Sequence, residues 1–373
     1  MTGDATGTED QTGERDGGPA GDLGARVDAA LDAFLTAQET RLAPLGPDAA
    51  ALLVAARESL AGGKRLRARF CHAGYLAVRP DPTPEQDAAL VRVCAALEVL
   101  HASALVHDDL MDASDTRRGR PAVHRAFEGR HRSAAWAGDP EQYGAAAAIL
   151  LGDLMLTWAD ELVRRCGLAP DEVAAALDVL DLCRSEVVAG QFLDVSVQAR
   201  GRADVEEAMR VLRYKSAKYS VERPLHVGAA LAGARHEQLE ALSAFGLPVG
   251  EAFQLRDDQL GVFGEPAATG KPAGDDLVEG KRTVLVALAL EALSTSAPGD
   301  AADLDASLGT PLSPADVTRL RAVIEASGAS DRVERLIEEL TATAGAALDA
   351  AALPPAAHDA LRDLAAAATR RTS

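Results

Sequence analysis

Apolar residues recur every three or four positions along the chain from Leu23 onward. This spacing is typical of amphipathic α-helices. Alanine and leucine dominate the 47% of residues that are hydrophobic, and alanine is the best helix former. Runs of Val, Ile and Tyr bounded by glycine, which would indicate strands, are almost absent. The pattern therefore predicts an all-α fold.

Glycine and proline divide this pattern into helices. The first helix is predicted from about Leu23 to Leu42 and is broken by Gly46-Pro47. Further helices are predicted over residues 48–61, 67–79, 84–114, 143–166, 170–200, 203–232, 235–262, 280–297, 313–327, 330–352 and 355–369. The segment 128–142 has the composition of a loop. Since no long linker interrupts residues 23–373, a single helical bundle is the simplest architecture.

The formal net charge of −19 and the sequence pI near 4.8 restrict the partners of the protein. Such a surface repels nucleic acid backbones and anionic lipids, so a nucleic acid partner is not expected. An anionic substrate would require basic side chains or metal ions to be concentrated at one site.

Residues 1–22 are rich in Gly, Thr, Asp and Glu and are expected to form a disordered tail. They lack the basic and apolar regions of a signal peptide. No apolar run reaches the roughly 18 residues of a membrane span. The sequence thus predicts a cytoplasmic protein without a membrane span.

The four cysteines lie far apart, in apolar helical stretches, and lack the spacing of metal sites. They are expected to be reduced thiols in the core. These residues are Cys71, Cys94, Cys166 and Cys183.

An acidic cluster ends the helix that carries the sequence ALEVLHASALVHDDLMD. Asp108 and Asp112 are four residues apart, so they lie on one face, roughly 6 Å apart along the axis. Magnesium typically takes one or two carboxylates and completes its shell with water and phosphate oxygens. The pair therefore predicts a site for magnesium and a diphosphate, although a solvated helix end has the same composition.

A second acidic pair, Asp257 and Asp258, follows another apolar stretch in FQLRDDQLGVFG. The segment after it, TGKPAGDDLVEGKRT, adds both basic and acidic residues. Two acidic sites on separate helices of a bundle can face one another and hold a metal–diphosphate cluster between them.

Basic residues accompany both clusters. Lys64 and Arg67 open a helix after Gly62-Gly63, where backbone N–H groups and cationic side chains can bind an anion. Arg117 and Arg118 follow the first acidic cluster closely. In so acidic a protein, this placement indicates diphosphate recognition.

Together these residues resemble the polyprenyl synthetase family, the trans-isoprenyl diphosphate synthases. The resemblance covers roughly residues 30–370, and the motifs occur in the family's order. They are GGKRLR, HxxxxxxDDLMDxxxxRRGxPAxH, GQFLD, YKSA, FQxxDD and TGKxxGDDxxxGK. The last segment is most similar to actinobacterial geranylgeranyl or longer-chain diphosphate synthases.

The resemblance implies antiparallel helices around a deep central cavity, a homodimer, and three Mg²⁺ ions per site. The substrates would be isopentenyl diphosphate and an allylic diphosphate. The residues implied to act in catalysis are Asp108, Asp112, Arg117, Lys215, Asp257 and Lys271. Of these, the magnesium ligands would be Asp108, Asp112 and Asp257.

The resemblance also assigns binding residues. Those for isopentenyl diphosphate are Lys64, Arg67, His101 and Arg118. Those for the allylic diphosphate are Arg117, Lys215 and Lys271, with Ser216 and Lys281 completing the substrate pocket. Residues that would line or support the site are Gln191, Asp194 and Gln254. One departure is Gly261, where many relatives carry a third aspartate in the second motif.

The implied reaction is ionisation, condensation and elimination. Product length would depend on the residues beneath the first aspartates. Ser103 and Ala104 precede Asp108 and are too small to block a growing chain, so Leu100 and Leu97 on deeper turns are candidate floors. One helical turn is about 5.4 Å, close to one isoprene unit. The product is expected to be geranylgeranyl diphosphate, with longer chains as the nearest alternative.

Two other classes of protein share parts of this pattern. A class I terpene cyclase shares the first motif, but it pairs Asn or Asp with Ser/Thr and Glu in its second motif, and only 3% of this chain is aromatic. A non-catalytic partner subunit of a heteromeric synthase commonly loses one acidic motif or its anion ligands. Both acidic pairs and the basic residues are present here.

Overall fold

The computed structural model describes residues 19–202, 204–264 and 274–370. Most of the predicted N-terminal tail, residues 1–18, lies outside the described residues. The first helix begins at Pro19, so residues 19–22 of that predicted tail are helical.

Helices account for nearly all of the described structure, which confirms the all-α prediction. The helices are α1 Pro19–Leu42, α2 Pro47–Leu60, α3 Leu66–Val78, α4 Pro84–Met111, α5 Val123–Ser133, α6 Pro140–Arg164, α7 Pro170–Arg200, α8 Val205–Leu212, α9 Arg223–Leu231, α10 His236–Phe263, α11 Asp275–Val278, α12 Val284–Ser296, α13 Pro298–Ser307, α14 Pro314–Ala326, α15 Ala329–Ala350 and α16 Pro355–Thr369. A 3₁₀ turn at Ala43–Leu45 follows α1, and a π-helix at Arg213–Glu222 joins α8 to α9. Two short strands, β1 Thr116–Arg117 and β2 Arg120–Pro121, form an antiparallel hairpin.

Helix α4 is the central element of the core. Its N-terminus carries a capping box between Thr83 and Gln86, with Pro84 at the first helical position. It packs against α1, α3 and α6. Its length and hydropathy match those of a membrane span, but 78% of its apolar window is buried inside the protein. Helix α4 is therefore the buried core helix that delivers Asp108 and Asp112 to the site.

The prediction of a loop over residues 128–142 is wrong for its first part, because α5 continues to Ser133. His124, Phe127 and His131 recur on one face of α5 and are buried. The polar residues that suggested a loop form the solvated face, where Arg132 bonds Glu128 one turn away.

Three smaller corrections concern the second half of the chain. The helix predicted over 203–232 is interrupted by the π-helix. The spacing of apolar residues does not reveal the wider turns of a π-helix. Helix α13, which Pro298 opens at the first helical position, was not predicted. Helix α11, a single short turn, was not predicted.

Candidate active site

The first acidic cluster lies at the C-terminal end of α4, where it meets α7 and the π-helix. Oδ1 of Asp108 accepts a hydrogen bond from Nε2 of Gln191 at 2.9 Å. The same oxygen lies 3.1 Å from Nζ of Lys215, which also donates to Oδ2 of Asp194 at 2.6 Å. Four residues from three motifs thus meet at one point.

A close backbone approach makes this meeting possible. Gly190 of α7 lies so near the π-helix that a Cβ atom there would be 2.4 Å from the backbone nitrogen of Lys215. Only glycine fits at this distance. Gly190 therefore brings the GQFLD motif and the YKSA motif into contact.

The hairpin after α4 positions the two arginines. Arg117 is held by Asp109, with Nε donating to Oδ1 at 2.9 Å and a second bond from the guanidinium to the same carboxylate. Arg118 donates from Nη1 to the carbonyl oxygen of Ala61 at 2.9 Å, which ties the hairpin to the end of α2. Asp109 is buried, so its role is to orient Arg117.

Lys281 connects the two acidic clusters. Its Nζ lies 3.2 Å from Oδ2 of Asp112, 3.4 Å from Oδ1 of Asp276 and 2.5 Å from Oε2 of Glu279. Ser114 donates to Glu279 at 2.6 Å, so the segment after α11 is bonded to the end of α4.

The second acidic pair lies on α10. Asp257 is half-buried, and the buried Asp258 accepts a hydrogen bond from Nε2 of Gln254 at 2.8 Å. Burial, together with the charges of Asp276 and Asp257, raises the pKa of Asp258 to about 8 in spite of that hydrogen bond. Asp257 and Asp276 are therefore each close enough to Asp258 to repel its negative charge.

The pKa values of the two aspartates of the first cluster shift in opposite directions. Burial acts to raise the pKa of Asp108, but Lys215, Lys281 and Arg117 outweigh it and hold that pKa well below its usual range. Burial and the charge of Asp108 raise the pKa of Asp112 to about 6. Stacked carboxylates behave in this way when one of them has most of the cationic neighbours.

A second, basic pocket surrounds His101. Its Nδ1 lies 2.7 Å from the hydroxyl of Tyr219. Arg67 donates to Oγ of Ser220 at 2.7 Å, and its guanidinium lies 4.2 Å from the centre of the Tyr219 ring. Burial, followed by the charges of Arg67, Arg118 and two further arginines, lowers the pKa of His101 well below its usual value.

The remaining predicted binding residues are Lys64, Ser216 and Lys271. Lys64 is exposed at the opening of α3, and Ser216 is half-buried next to Lys215 in the π-helix. Lys271 lies outside the described residues, so its predicted role stays a prediction.

The candidate floor residues occupy two faces of α4. The hydroxyl of Ser103 donates to the carbonyl oxygen of Gly152 at 2.7 Å, so this side chain is directed at α6. Ala104 lies one turn below Asp108 and is half-buried. Leu100 and Leu97 are both buried in the core, 2% exposed.

Comparison with known proteins identifies the family of the chain. Residues 50–326 match the family model described as polyprenyl synthetase. The chain belongs to the polyprenyl synthetase family.

Relatives in this family cover most of the chain. A geranylgeranyl pyrophosphate synthase from Corynebacterium glutamicum, solved with isoprenyl diphosphate and magnesium, is 42% identical. The match covers 94% of this chain and 98% of that one, with a TM-score of 0.91. A polyprenyl synthase from Caulobacter crescentus, solved with calcium and isoprenyl diphosphate, is 28% identical over 95% and 97% of the two chains, with a TM-score of 0.76. The geranylfarnesyl diphosphate synthase of Aeropyrum pernix is 32% identical over 74% of this chain and 79% of its own length.

The residues present in this polyprenyl synthetase fit magnesium. Within the described part of the chain, Oδ2 of Asp112 is buried and accepts no well-aligned hydrogen bond. Among the described residues, no three His, Cys, Asp or Glu side chains converge in a metal-binding group. Asp108 and Asp112 would supply carboxylate ligands to a magnesium ion, and phosphate oxygens and water would complete its shell, as magnesium prefers.

Four residues of the site had no role assigned to them from the sequence: Asp109, Tyr219, Asp276 and Arg65. Helix geometry could have indicated that the role of Asp109 differs from that of Asp108. Consecutive residues of a helix are rotated by about 100° and cannot share one face. The buried Arg65 bonds Asp28 at 2.6 Å and the carbonyl oxygen of Leu60 at 2.7 Å. Arg65 therefore fixes the turn before α3. This role is visible only in the folded structure.

Proposed function

We propose that this polyprenyl synthetase condenses isopentenyl diphosphate with an allylic diphosphate and releases geranylgeranyl diphosphate. The observation that carries the proposal is the pair of adjacent anion sites. One is the carboxylate–lysine cluster around Asp108, Asp112, Lys215 and Lys281, and the other is the arginine-rich pocket of His101. A reaction between two diphosphates needs two such sites.

The carboxylate–lysine cluster suits the allylic diphosphate. Magnesium bound at Asp108, Asp112 and Asp257 would supply the positive charge that stabilises the departing diphosphate. Lys215 and Lys281, now paired with aspartates, would donate hydrogen bonds to phosphate oxygens. Arg117, oriented by Asp109, adds a fixed positive charge 4.0 Å from Asp108.

The pocket of His101 suits isopentenyl diphosphate. Its lowered pKa keeps the imidazole neutral, and Nδ1 shares a hydrogen bond with the Tyr219 hydroxyl. In the tautomer protonated at Nε2, the hydroxyl donates to Nδ1 and the Nε2–H would donate to a phosphate oxygen. Arg67 has a buried Nε without a partner in the described part of the chain, which suits a phosphate oxygen. The anion would therefore be held by guanidinium groups and one neutral imidazole.

The proposed reaction between the two bound substrates needs no dedicated protein base. The allylic C–O bond breaks, and its electrons leave with the diphosphate. The double bond of isopentenyl diphosphate then forms the new C–C bond with the allylic cation. The proton lost in forming the new double bond passes to the departing diphosphate.

The chain length is proposed from α4. Ala104 leaves space beneath Asp108, and the buried Leu100 and Leu97 on deeper turns would stop the growing chain after four isoprene units. The similarity to the C. glutamicum geranylgeranyl pyrophosphate synthase supports the same length.

We also propose that the protein is a homodimer in the cytoplasm and binds three Mg²⁺ ions per site. Helices α6 and α7 expose large apolar side chains, which include Ile149 at 47%, Leu150 at 59% and Phe192 at 70%. Exposed large apolar side chains of this kind are typical of a subunit interface. The four cysteines are free and buried, as suits a reducing compartment. Metal content per chain and cell fractionation test the ion count and the compartment.

The proposed reaction is tested with purified protein, Mg²⁺ and labelled isopentenyl diphosphate, supplied with dimethylallyl, geranyl or farnesyl diphosphate. Chromatography of the dephosphorylated products should show one twenty-carbon alcohol. Longer alcohols would overturn the floor formed by Leu100 and Leu97 while keeping the reaction. No incorporation with any starter would overturn the proposed activity.

A further inference from the structure

The N-terminus of α3 lacks the usual side-chain cap. Its N-cap residue is Arg65, whose guanidinium has no acceptor atom to offer to the helix. The first bond within the helix runs from the N–H of Arg69 to the carbonyl oxygen of Arg65 at 2.9 Å. The N–H groups of residues 66–68 therefore need acceptors from outside the helix. Since Arg67 is one of these residues, whatever holds this end of α3 also affects the pocket of His101.

Glu98 of α4 supplies one of these acceptors. Its Oε1 accepts a hydrogen bond from the N–H of Ala68 at 3.1 Å. Ala68 is the third residue of α3, a position whose N–H an N-cap side chain normally binds. Glu98 is only 5% exposed, so its negative charge acts on the positive end of the helix dipole with little screening by water. The cap of α3 thus comes from a neighbouring helix instead of the preceding residue.

The second oxygen of Glu98 faces Arg65. Nη1 of Arg65 lies 3.5 Å from Oε2 of Glu98. The same guanidinium donates to Oδ1 of Asp28 at 2.6 Å and to the carbonyl oxygen of Leu60 at 2.7 Å. Arg65 adopts the left-handed conformation at φ 50°, which is unfavourable for a residue with a Cβ atom. These contacts hold the turn before α3 in that conformation.

The bond between Glu98 and Ala68 lies beside two of the predicted binding residues for isopentenyl diphosphate. Glu98 is three residues before His101 on α4, so the two side chains share a face of that helix. Arg67 is the residue before Ala68 on α3. The bond therefore joins the two helices at the point where each contributes a side chain to the same pocket.

Glu98 also brings negative charge to a basic pocket. Burial lowers the pKa of Arg118, the charges of Arg65 and Arg117 lower it further, and the charge of Glu98 acts in the opposite direction. A buried carboxylate in this place reduces the repulsion among the arginines. It would also repel a diphosphate, so Glu98 is not suited to bind the substrate itself.

We propose that Glu98 is a positioning residue for isopentenyl diphosphate: it caps α3 from α4 and so fixes the distance between Arg67 and His101. Glu98 acts through Ala68 and Arg65 and does not touch the substrate. This inference rests on the proposed function, because it concerns the pocket of one of the two proposed substrates.

The first test compares two substitutions of the carboxylate. Glu98→Met removes both acceptor oxygens, whereas Glu98→Gln keeps an amide oxygen for the N–H of Ala68. Steady-state kinetics give separate KM values for isopentenyl diphosphate and the allylic diphosphate. Glu98→Met should raise the KM for isopentenyl diphosphate by about tenfold or more, because small displacements of binding groups are costly. The KM for the allylic diphosphate should stay within about twofold of the wild type.

Glu98→Gln should give a KM for isopentenyl diphosphate between those of the wild type and Glu98→Met, because a neutral acceptor makes a weaker bond than a carboxylate. The amide also keeps the shape of the side chain, so this variant remains informative if Glu98→Met does not fold. A wild-type KM for isopentenyl diphosphate in either variant overturns the inference.

Glu161→Met is the matched control. Its carboxylate accepts hydrogen bonds from Gln38 at 3.0 Å and Arg41 at 2.9 Å, and so joins α1 to α6. Its loss should lower Tm while both KM values stay within about twofold of the wild type. If Glu161→Met raised the KM for isopentenyl diphosphate as much as Glu98→Met, or if Glu98→Met raised both KM values equally, general loosening of the fold would explain the result and the positioning role would be wrong.

Calorimetry with isopentenyl diphosphate gives a second readout that needs no turnover. The dissociation constant should rise in the order wild type, Glu98→Gln, Glu98→Met, and the constant of Glu161→Met should match that of the wild type. Equal constants for all four proteins would contradict the inference. Failure of the proposed function would appear separately, as absent isopentenyl diphosphate incorporation by the wild-type protein.

Discussion

Nζ of Lys281 lies 3.2 Å from Oδ2 of Asp112, although the lysine follows α11 and the aspartate ends α4. This ion pair joins the end of α4 to the segment that follows α11. It also lowers the cost of burying Asp112, whose pKa is raised by burial and by the charge of Asp108. Lys281 is therefore placed to stabilise negative charge wherever it develops in the cluster.

Lys281→Gln should reduce kcat/KM by about 10²-fold, the usual loss when one preorganised donor to a developing anion is removed. Steady-state kinetics with the allylic substrate measure this loss. Arg319→Gln, which removes a positive charge from an exposed ion pair with Asp303, is the matched control. A loss of similar size in both variants would indicate a general charge effect instead.

Gly190→Ala should lower both activity and Tm, because its Cβ would lie 2.4 Å from the backbone nitrogen of Lys215. Either α7 or the π-helix must shift, and the contact of Lys215 with Asp108 and Asp194 would be lost. Gly345→Ala in α15 is the control, since a Cβ there meets no atom within 4 Å. That substitution should raise stability by up to about 1 kcal/mol through helix propensity. Thermal unfolding and initial rates separate the two results.

Ala104→Phe should shorten the product, because the ring would fill the space one turn below Asp108. Ser103→Ala should leave product length unchanged, since the Ser103 hydroxyl is bonded to Gly152 of α6. It should cost about 1 kcal/mol of unfolding free energy, because the carbonyl of Gly152 loses its donor. Product chromatography measures chain length, and an unchanged product from Ala104→Phe would refute the floor on α4.

Asp258→Asn should make the thermal stability of the metal-free protein less sensitive to rising pH. The pKa of Asp258 is about 8 in the folded protein and 3.8 in the reference state, so the folded state holds this proton more tightly. The resulting stability is fully present below pH 3.8 and is lost as pH rises toward 8. In EDTA, the Tm advantage of Asp258→Asn over the wild type should therefore grow from pH 5 to pH 8. A constant difference would mean that Asp258 is charged throughout.

Phe192→Glu should convert the proposed homodimer into a monomer, because it places a charge in the apolar face of α6 and α7. Phe192 is 70% exposed in the single chain. Val54→Glu, at an exposed position of α2, should leave the mass unchanged. Light scattering after size-exclusion chromatography gives the mass of each variant, and a Phe192→Glu dimer would show that another surface mediates assembly.

The sequence predicted the helical fold and much of the site, because helical spacing and charge clusters are local signals. Asp108 and Asp112 share a face by helix geometry alone, and the structure brings them to Lys215 and Lys281. The cap that Glu98 gives to α3 could not be predicted, since its acceptor oxygen belongs to a residue on another helix. In the same way, the direction of the Ser103 side chain could not be predicted, because its partner, Gly152, is on α6.

Helix α7 has a polar and an apolar side within one turn. Gln191 and Asp194 contact the carboxylate–lysine cluster, while Phe192 and Val195 face outward. An α-helix with its side chains is about 10–12 Å across. In a dimer built on this face, each reaction centre would lie one helix away from the neighbouring subunit. Catalysis and assembly would then be coupled properties, and dissociated chains would differ from dimers in turnover as well as in mass.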